Sequence, residues 1–156
     1  IIGNTIYIGF IHLKSLEQKI ARSIALERSL HGNYSSLDNF LQRIKGIGLE
    51  QVRILIRIGA FRFTNKSKQH LLWEAMLYMS HTKTRSNTTS ALFNTAPASP
   101  LLPPLARMEH EDAFDEIELL GFPLRDPFDL LPDKNLGNTL AYQLAERVNK
   151  HISIIG

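Results

Sequence analysis

Apolar residues along the first half of the chain recur three and four positions apart, in runs punctuated by glycine. Leu16, Ile20 and Ile24 form one such run, which Gly32 stops, and this predicts an amphipathic helix over roughly 16–31. In front of it Ser15-Leu16-Glu17-Gln18 has the capping-box pattern. Ser35 or Ser36 can cap a short second helix whose Leu37, Phe40, Leu41 and Ile44 share a face, and Gly46 and Gly48 end it. A third helix is expected from Leu49, with Val52, Leu55 and Ile56 inward and Gly59 as a left-handed cap. A fourth begins after Thr64 or Asn65, with Leu72, Ala75, Met76 and Met79 as its stripe and Trp73 and Tyr78 over its edges.

The periodicity lapses near His81. Residues 81–108 are polar and then hold four of the seven prolines, which predicts an extended linker between a domain at 1–80 and a connector at 109–156. Periodicity resumes with Phe114, Ile117 and Leu120 on one helical face, stopped by Gly121 and Pro123. Asp126-Pro127 should open a single turn. A last helix, about 139–148, leads into VNKHISIIG, which reads as a first β-strand. The fold class expected is mainly α: a helix-hairpin-helix bundle, a flexible Pro-rich linker, and short helices leading into a truncated β domain.

Charge adds an asymmetry that hydropathy does not show. The 156 residues carry a net charge of +3, but residues 1–80 hold eleven Lys/Arg against five Asp/Glu, and residues 81–156 hold seven against ten. A basic first half fits a polyanion partner and fits equally a solvated helical surface. The absence of cysteine excludes disulfides and thiolate metal sites and makes the cytosol the default location. The apolar start, IIGNTIYIGFIHL, is too short for a membrane span and lacks the features of a signal peptide, so no membrane partner is expected. Both ends look cut, and the chain reads as a piece of something longer.

Catalytic chemistry finds no foothold in these residues. The six histidines are scattered without metal-ligand spacing, and no phosphate-binding loop, dinucleotide fingerprint or nucleophile triad is present. His110 lies among Glu109, Glu111 and Asp112, but acids in a first helical turn complement the macrodipole without any metal, and the acids at 109–118 are expected on a solvated face. No catalytic residue, metal or cofactor is therefore assigned to this segment.

Binding is the chemistry that remains. In Lys45-Gly46-Ile47-Gly48, two glycines precede a helix start, so the backbone can approach a phosphate while N–H groups face the anion. Arg43, Lys45 and Arg53 lie near enough in sequence to add attraction that is indifferent to base sequence. Glu50 opposes it. On spacing alone a phosphate cradle and a plain glycine turn fit equally well.

Several longer passages carry a resemblance. A Gly-x-Tyr-x-Ser-Leu-x-x-Phe passage spans Gly32 to Phe40, Ile-x-x-Gly-Ala-Phe spans Ile56 to Phe61, and Leu-Trp-Glu-Ala spans 72–75. Together with EIELLGFPL at Glu116 to Leu124, in this order, they resemble the tandem helix-hairpin-helix region of the bacterial replicative DNA polymerase III alpha subunit. The resemblance covers most of the chain apart from the linker, and its last passage resembles the connection to that family's oligonucleotide-binding (OB) barrel.

The resemblance implies a parent nucleotidyltransferase whose catalytic aspartates, with Mg, belong to a palm domain outside this segment. It implies double-stranded template-primer DNA, a sliding clamp and other replisome subunits as partners. DNA contact falls on Lys14, Lys19, Arg43, Lys45, Gly46, Ile47, Gly48 and Arg53, although the first hairpin has Ser15 and Glu17 where the family pattern has glycines. The clamp-binding peptide of the family corresponds to Thr89, Leu92 and Phe93, with Thr89 replacing the usual glutamine. A helix-hairpin-helix module of a repair or recombination protein, or a helical interaction domain without DNA contact, are the competing expectations.

Overall fold

The computed structural model describes residues 8–85, 110–131, 139 and 141–152. Five α-helices make up most of these: α1 (Gln18–His31), α2 (Leu37–Arg43), α3 (Leu49–Arg57), α4 (Lys68–Arg85) and α5 (Glu111–Leu120). Short 3-10 turns at Phe10–His12, Arg62–Thr64, Pro127–Leu130 and Ala141–Arg147 complete the pattern. Among the described residues there is no strand, and no helix is long and apolar enough to cross a membrane. The strand expected after 148 is not seen over 148–152, and residues 153–156 lie outside the described residues.

The core is assembled from the residues whose spacing predicted it. Leu37, Phe40, Leu41 and Ile44 from α2 and its C-cap meet Val52, Leu55 and Ile56 from α3, with Ile20 and Ile24 of α1 closing one side. Phe40 stands edge-on to both Tyr34 and Phe61, with ring centroids 5.1 and 5.0 Å apart. Ser36 caps α2 by accepting from the Asn39 N–H at 3.0 Å. Gly59, at φ +77°, ends α3 in a Schellman arrangement: its own N–H donates to Ile56 O and that of Ala60 to Leu55 O, both at 2.9 Å.

Four local expectations are corrected, one of them in part. Ser15 is not a capping residue: it takes a left-handed φ of 64°, and Glu17 occupies the N-cap of α1 with no side-chain cap bond. On α4 the expected Ala75 is buried and Leu72, Met79 and Tyr78 pack against the core, joined by Leu71, while Met76 and Trp73 are exposed. The same helix continues through Arg85, into residues expected as linker. The final helix is a 3-10 turn, with Tyr142 and Val148 exposed and no apolar face buried.

The largest departure concerns α5. The sequence puts Phe114, Ile117 and Leu120 on one face and the acids on a solvated one, yet Phe114 and Ile117 are exposed, Leu120 is half-buried, and the buried residues are Ala113, Asp115, Glu116 and Leu119. Charge decides this orientation. Arg57 on α3 donates to Asp115 at 2.7 Å and also pairs with Glu118, while Lys68 at the start of α4 pairs with Asp112 and Asp115. Glu116 accepts the Leu124 N–H at 2.7 Å, which folds the chain back after Gly121, and Arg62 lies 3.8 Å from the same carboxylate. Of the acids expected on a solvated face, Asp115 and Glu116 are instead buried, while Glu118 stays exposed and Glu109 lies outside the described residues. Cations of the basic first half draw the buried acids in, and small Ala113 lets the helix approach.

The hydrogen bond from Arg57, and then its charge, hold the Glu118 carboxyl below the usual glutamate value of 4.5. A carboxyl depressed by folding contributes fully above its unfolded pKa and loses that contribution as pH falls through its lower folded value. Docking of α5 should thus be intact at neutral pH and weaken only below about pH 4.5, measured as hydrogen-exchange protection of the α5 amides. Asp115→Ala should cost about 1.5–3 kcal/mol by urea unfolding, because it removes the buried acid that Arg57 and Lys68 share and leaves them Glu118 and Asp112 alone. Phe114→Ala should cost less than about 0.5 kcal/mol, whereas an inward Phe114 would make it the costlier change.

Candidate nucleic-acid interface

The turn between α2 and α3 is built by alternation. Ile44 and Ile47 are both buried, and between and after them Gly46 and Gly48 are exposed. With two isoleucines anchored in the core, the backbone must reverse sharply, and Gly46 does so at φ +78°. Gly48 then opens α3 as its N-cap, with φ −78° and ψ 156°. Among the described residues no protein acceptor takes the N–H groups of Gly46, Ile47 or Gly48. The first-turn amides of α3 point the same way along the helix axis, where the macrodipole is positive.

Gly48 is the informative residue. Its dihedrals are ordinary extended backbone open to any amino acid, and a Cβ built on it would meet nothing within 4 Å. Gly46, by contrast, is favoured by its own left-handed φ. The fold has no need of a glycine at 48.

The preceding hairpin shows that this position tolerates a side chain. Leu13-Lys14-Ser15-Leu16-Glu17 runs between Phe10–His12 and α1 as Ile44-Lys45-Gly46-Ile47-Gly48 runs between α2 and α3. Ser15 at φ 64° matches Gly46, and Glu17 at φ −64°, ψ 129° matches Gly48. Leu13 is buried as Ile44 is. The first hairpin departs from the glycine pattern in sequence but not in backbone.

The basic residues expected at the interface separate into two groups. Lys14, Lys19 and Lys45 are exposed and form no ion pair among the described residues. Arg53 is exposed but pairs with Glu50 at 3.1 Å, so the carboxylate that opposed phosphate binding is answered one turn along its own helix. Arg43 is a correction. Its guanidinium donates to Glu27 Oε1 at 3.1 Å and to the carbonyls of Glu27, Gly32 and Asn33, and it covers the Tyr34 ring at 4.3 Å. Arg43 ties the C-terminal end of α1 to α2 and has no donor to spare for DNA. Burial pushes the Tyr34 phenol up in spite of that cation, and its O–H donates to Ile24 O at 2.9 Å.

Sequence reading missed Gln51 and Arg57. Gln51 accepts the Glu17 N–H at 2.8 Å and donates to Ser15 O at 3.0 Å, a two-point clamp from α3 onto the first hairpin. Their partners lie tens of residues away in sequence, and no local pattern announces such contacts. Thr89, Leu92 and Phe93 fall outside the described residues, and among the described residues no group of acidic or histidine side chains could hold a metal ion.

Residues 1–71 match the family model of the helix-hairpin-helix motif, a DNA-binding module, and the match takes in both hairpins and the helices that follow them. No curated protein matches the chain.

Arg43→Ala should lower stability by about 1.5–3 kcal/mol, the scale of hydrogen bonds to a charged group. Arg43→Lys should recover little of it, because an ammonium cannot reproduce the planar fork. Urea unfolding checks both; a variant with unchanged stability and weakened DNA affinity would return Arg43 to the interface.

Proposed function

We propose that this chain grips duplex DNA by its phosphates, without regard to base sequence, and that it does so as the DNA-binding and clamp-tethering segment of a replicative DNA polymerase. The observation that carries the DNA contact is Gly48: a glycine that neither backbone strain nor a neighbouring atom requires, at the mouth of a turn whose amides have no acceptor among the described residues. A phosphate oxygen needs just this clearance to reach the N–H groups of a helix start, and Lys45 supplies a free cation beside it. Contacts of this kind fix position and register along the backbone and read no bases.

The polymerase part of the proposal is supported by the ordered passages at Gly32–Phe40, Ile56–Phe61, 72–75 and Glu116–Leu124. In it, the parent chain is a nucleotidyltransferase with its Mg-dependent chemistry elsewhere, and the segment serves processivity. Thr89, Leu92 and Phe93 would fasten the enzyme to a sliding clamp as an extended peptide with two apolar anchors.

Gly48→Asp tests the DNA contact without threatening the fold, since aspartate is a good N-cap and its side chain would enter open space. Thermal stability should hold or rise while duplex affinity falls at least about tenfold at physiological salt, as a carboxylate replaces the clearance a phosphate needs. Lys45→Ala should flatten the slope of log affinity against log salt by about 0.9. Undiminished binding by Gly48→Asp, measured by fluorescence anisotropy, would sink the phosphate reading. Leu92→Ala combined with Phe93→Ala should abolish clamp pull-down and leave duplex binding intact; retained capture by the clamp would refute the peptide assignment.

A further inference from the structure

Two hairpins of the same backbone shape would ordinarily give two phosphate contacts, but their surroundings differ at the residue that opens the following helix. At the second hairpin the glycine at 48 leaves space, the turn amides have no protein acceptor, and Lys45 has no ion pair among the described residues. At the first hairpin Lys14 likewise has no ion pair among the described residues, but the space and one of the turn amides are taken. Glu17 places a carboxylate side chain where Gly48 places none, and the Glu17 N–H is already taken by Gln51 Oε1 at 2.8 Å. The Lys14 N–H donates to Leu119 O, in the last turn of α5, at 2.8 Å. The Lys14 ammonium lies over the end of the same helix, 3.6 Å from where a Cβ on Gly121 would stand, beside the negative pole of its dipole.

We propose that Gln51 and the C-terminal turn of α5 have withdrawn the first hairpin from phosphate binding, so that the chain holds duplex DNA through the second hairpin alone and on one strand. A side-chain amide oxygen occupies the Glu17 N–H, the counterpart of the Gly48 amide, and a peptide carbonyl ties down the backbone at Lys14, just before the left-handed Ser15. Gln51 is thus a positioning residue: it sits on α3, one turn after Gly48, and fixes the closed hairpin relative to the open one. The role expected for Lys14 at the DNA becomes attachment of α5. The charge asymmetry between the two halves of the chain serves this arrangement, because the acids of α5 are held by Arg57 and Lys68.

This inference rests on phosphate binding by the second hairpin, and the experiment separates the two. Anisotropy titrations with the intact chain would compare three duplexes of one sequence: native, one strand entirely methylphosphonate, and both strands methylphosphonate. A grip on one strand predicts a loss of about twofold for the half-neutral duplex, the statistical cost of removing half the sites, and loss of binding to the fully neutral one. A loss of roughly tenfold or more with the half-neutral duplex would show that both strands are held and would overturn the inference. Gly48→Asp distinguishes the premise: if it binds native duplex as the unaltered chain does, the phosphate reading itself fails. If it loses binding to native and half-neutral duplex alike, the single open hairpin accounts for the whole grip.

Discussion

The proposed phosphate contact at the second hairpin depends on two isoleucines being buried on either side of one left-handed glycine. Ile44 and Ile47 are anchored against α2, α3 and the aromatic group of Phe40 and Phe61, so the backbone between them has no freedom to turn its amides inward. The apolar core therefore orients a polar surface. Such a turn costs nothing at Gly46, whereas the matching turn at Ser15 forces a residue with a Cβ into the same region at a cost on the order of 1 kcal/mol. That the first hairpin keeps the shape despite this cost shows that its packing and its clamp by Gln51 specify the backbone.

Electrostatics decides the second level of organisation. An amphipathic helix is normally oriented by its apolar stripe, yet α5 turns Asp115 and Glu116 inward and leaves Phe114 exposed. Partly buried carboxylates are tolerated because each has partners: Arg57 and Lys68 for Asp115, the Leu124 amide for Glu116. The surplus of positive charge in residues 1–80 is consequently spent in part inside the molecule. Arg43, Arg57 and Lys68 all serve the fold, Arg53 is exposed but paired with Glu50, and the exposed hairpin cations with no ion pair among the described residues are lysines, flexible point charges suited to a backbone phosphate rather than to a fixed fork of acceptors.

The outward face of α5 continues into Phe122, Leu124 and Phe128, which are also exposed. A helix docked by its charges presents its apolar residues to whatever lies beyond, and this reverses the usual relation between hydropathy and the inside of a domain. The hydropathic pattern there was sound as a pattern and misleading as a guide to orientation.

The sequence by itself determined the helices of the first 60 residues, their buried faces over α2 and α3, the glycine stops at Gly32, Gly59 and Gly121, and the hairpin whose amides face out. These features are local: side chains three and four apart share a face, and a glycine at positive φ ends a helix whatever surrounds it. What only the tertiary structure decided are the choices between a residue's equally good local roles. Arg43 could have reached DNA and instead caps α1; Ser15 could have capped a helix and instead turns a hairpin; the acids of α5 could have faced water and instead meet Arg57 and Lys68. Each outcome is set by a partner distant in sequence, and pairing of charge or of a buried amide is a property of positions in space that no periodicity along the chain encodes.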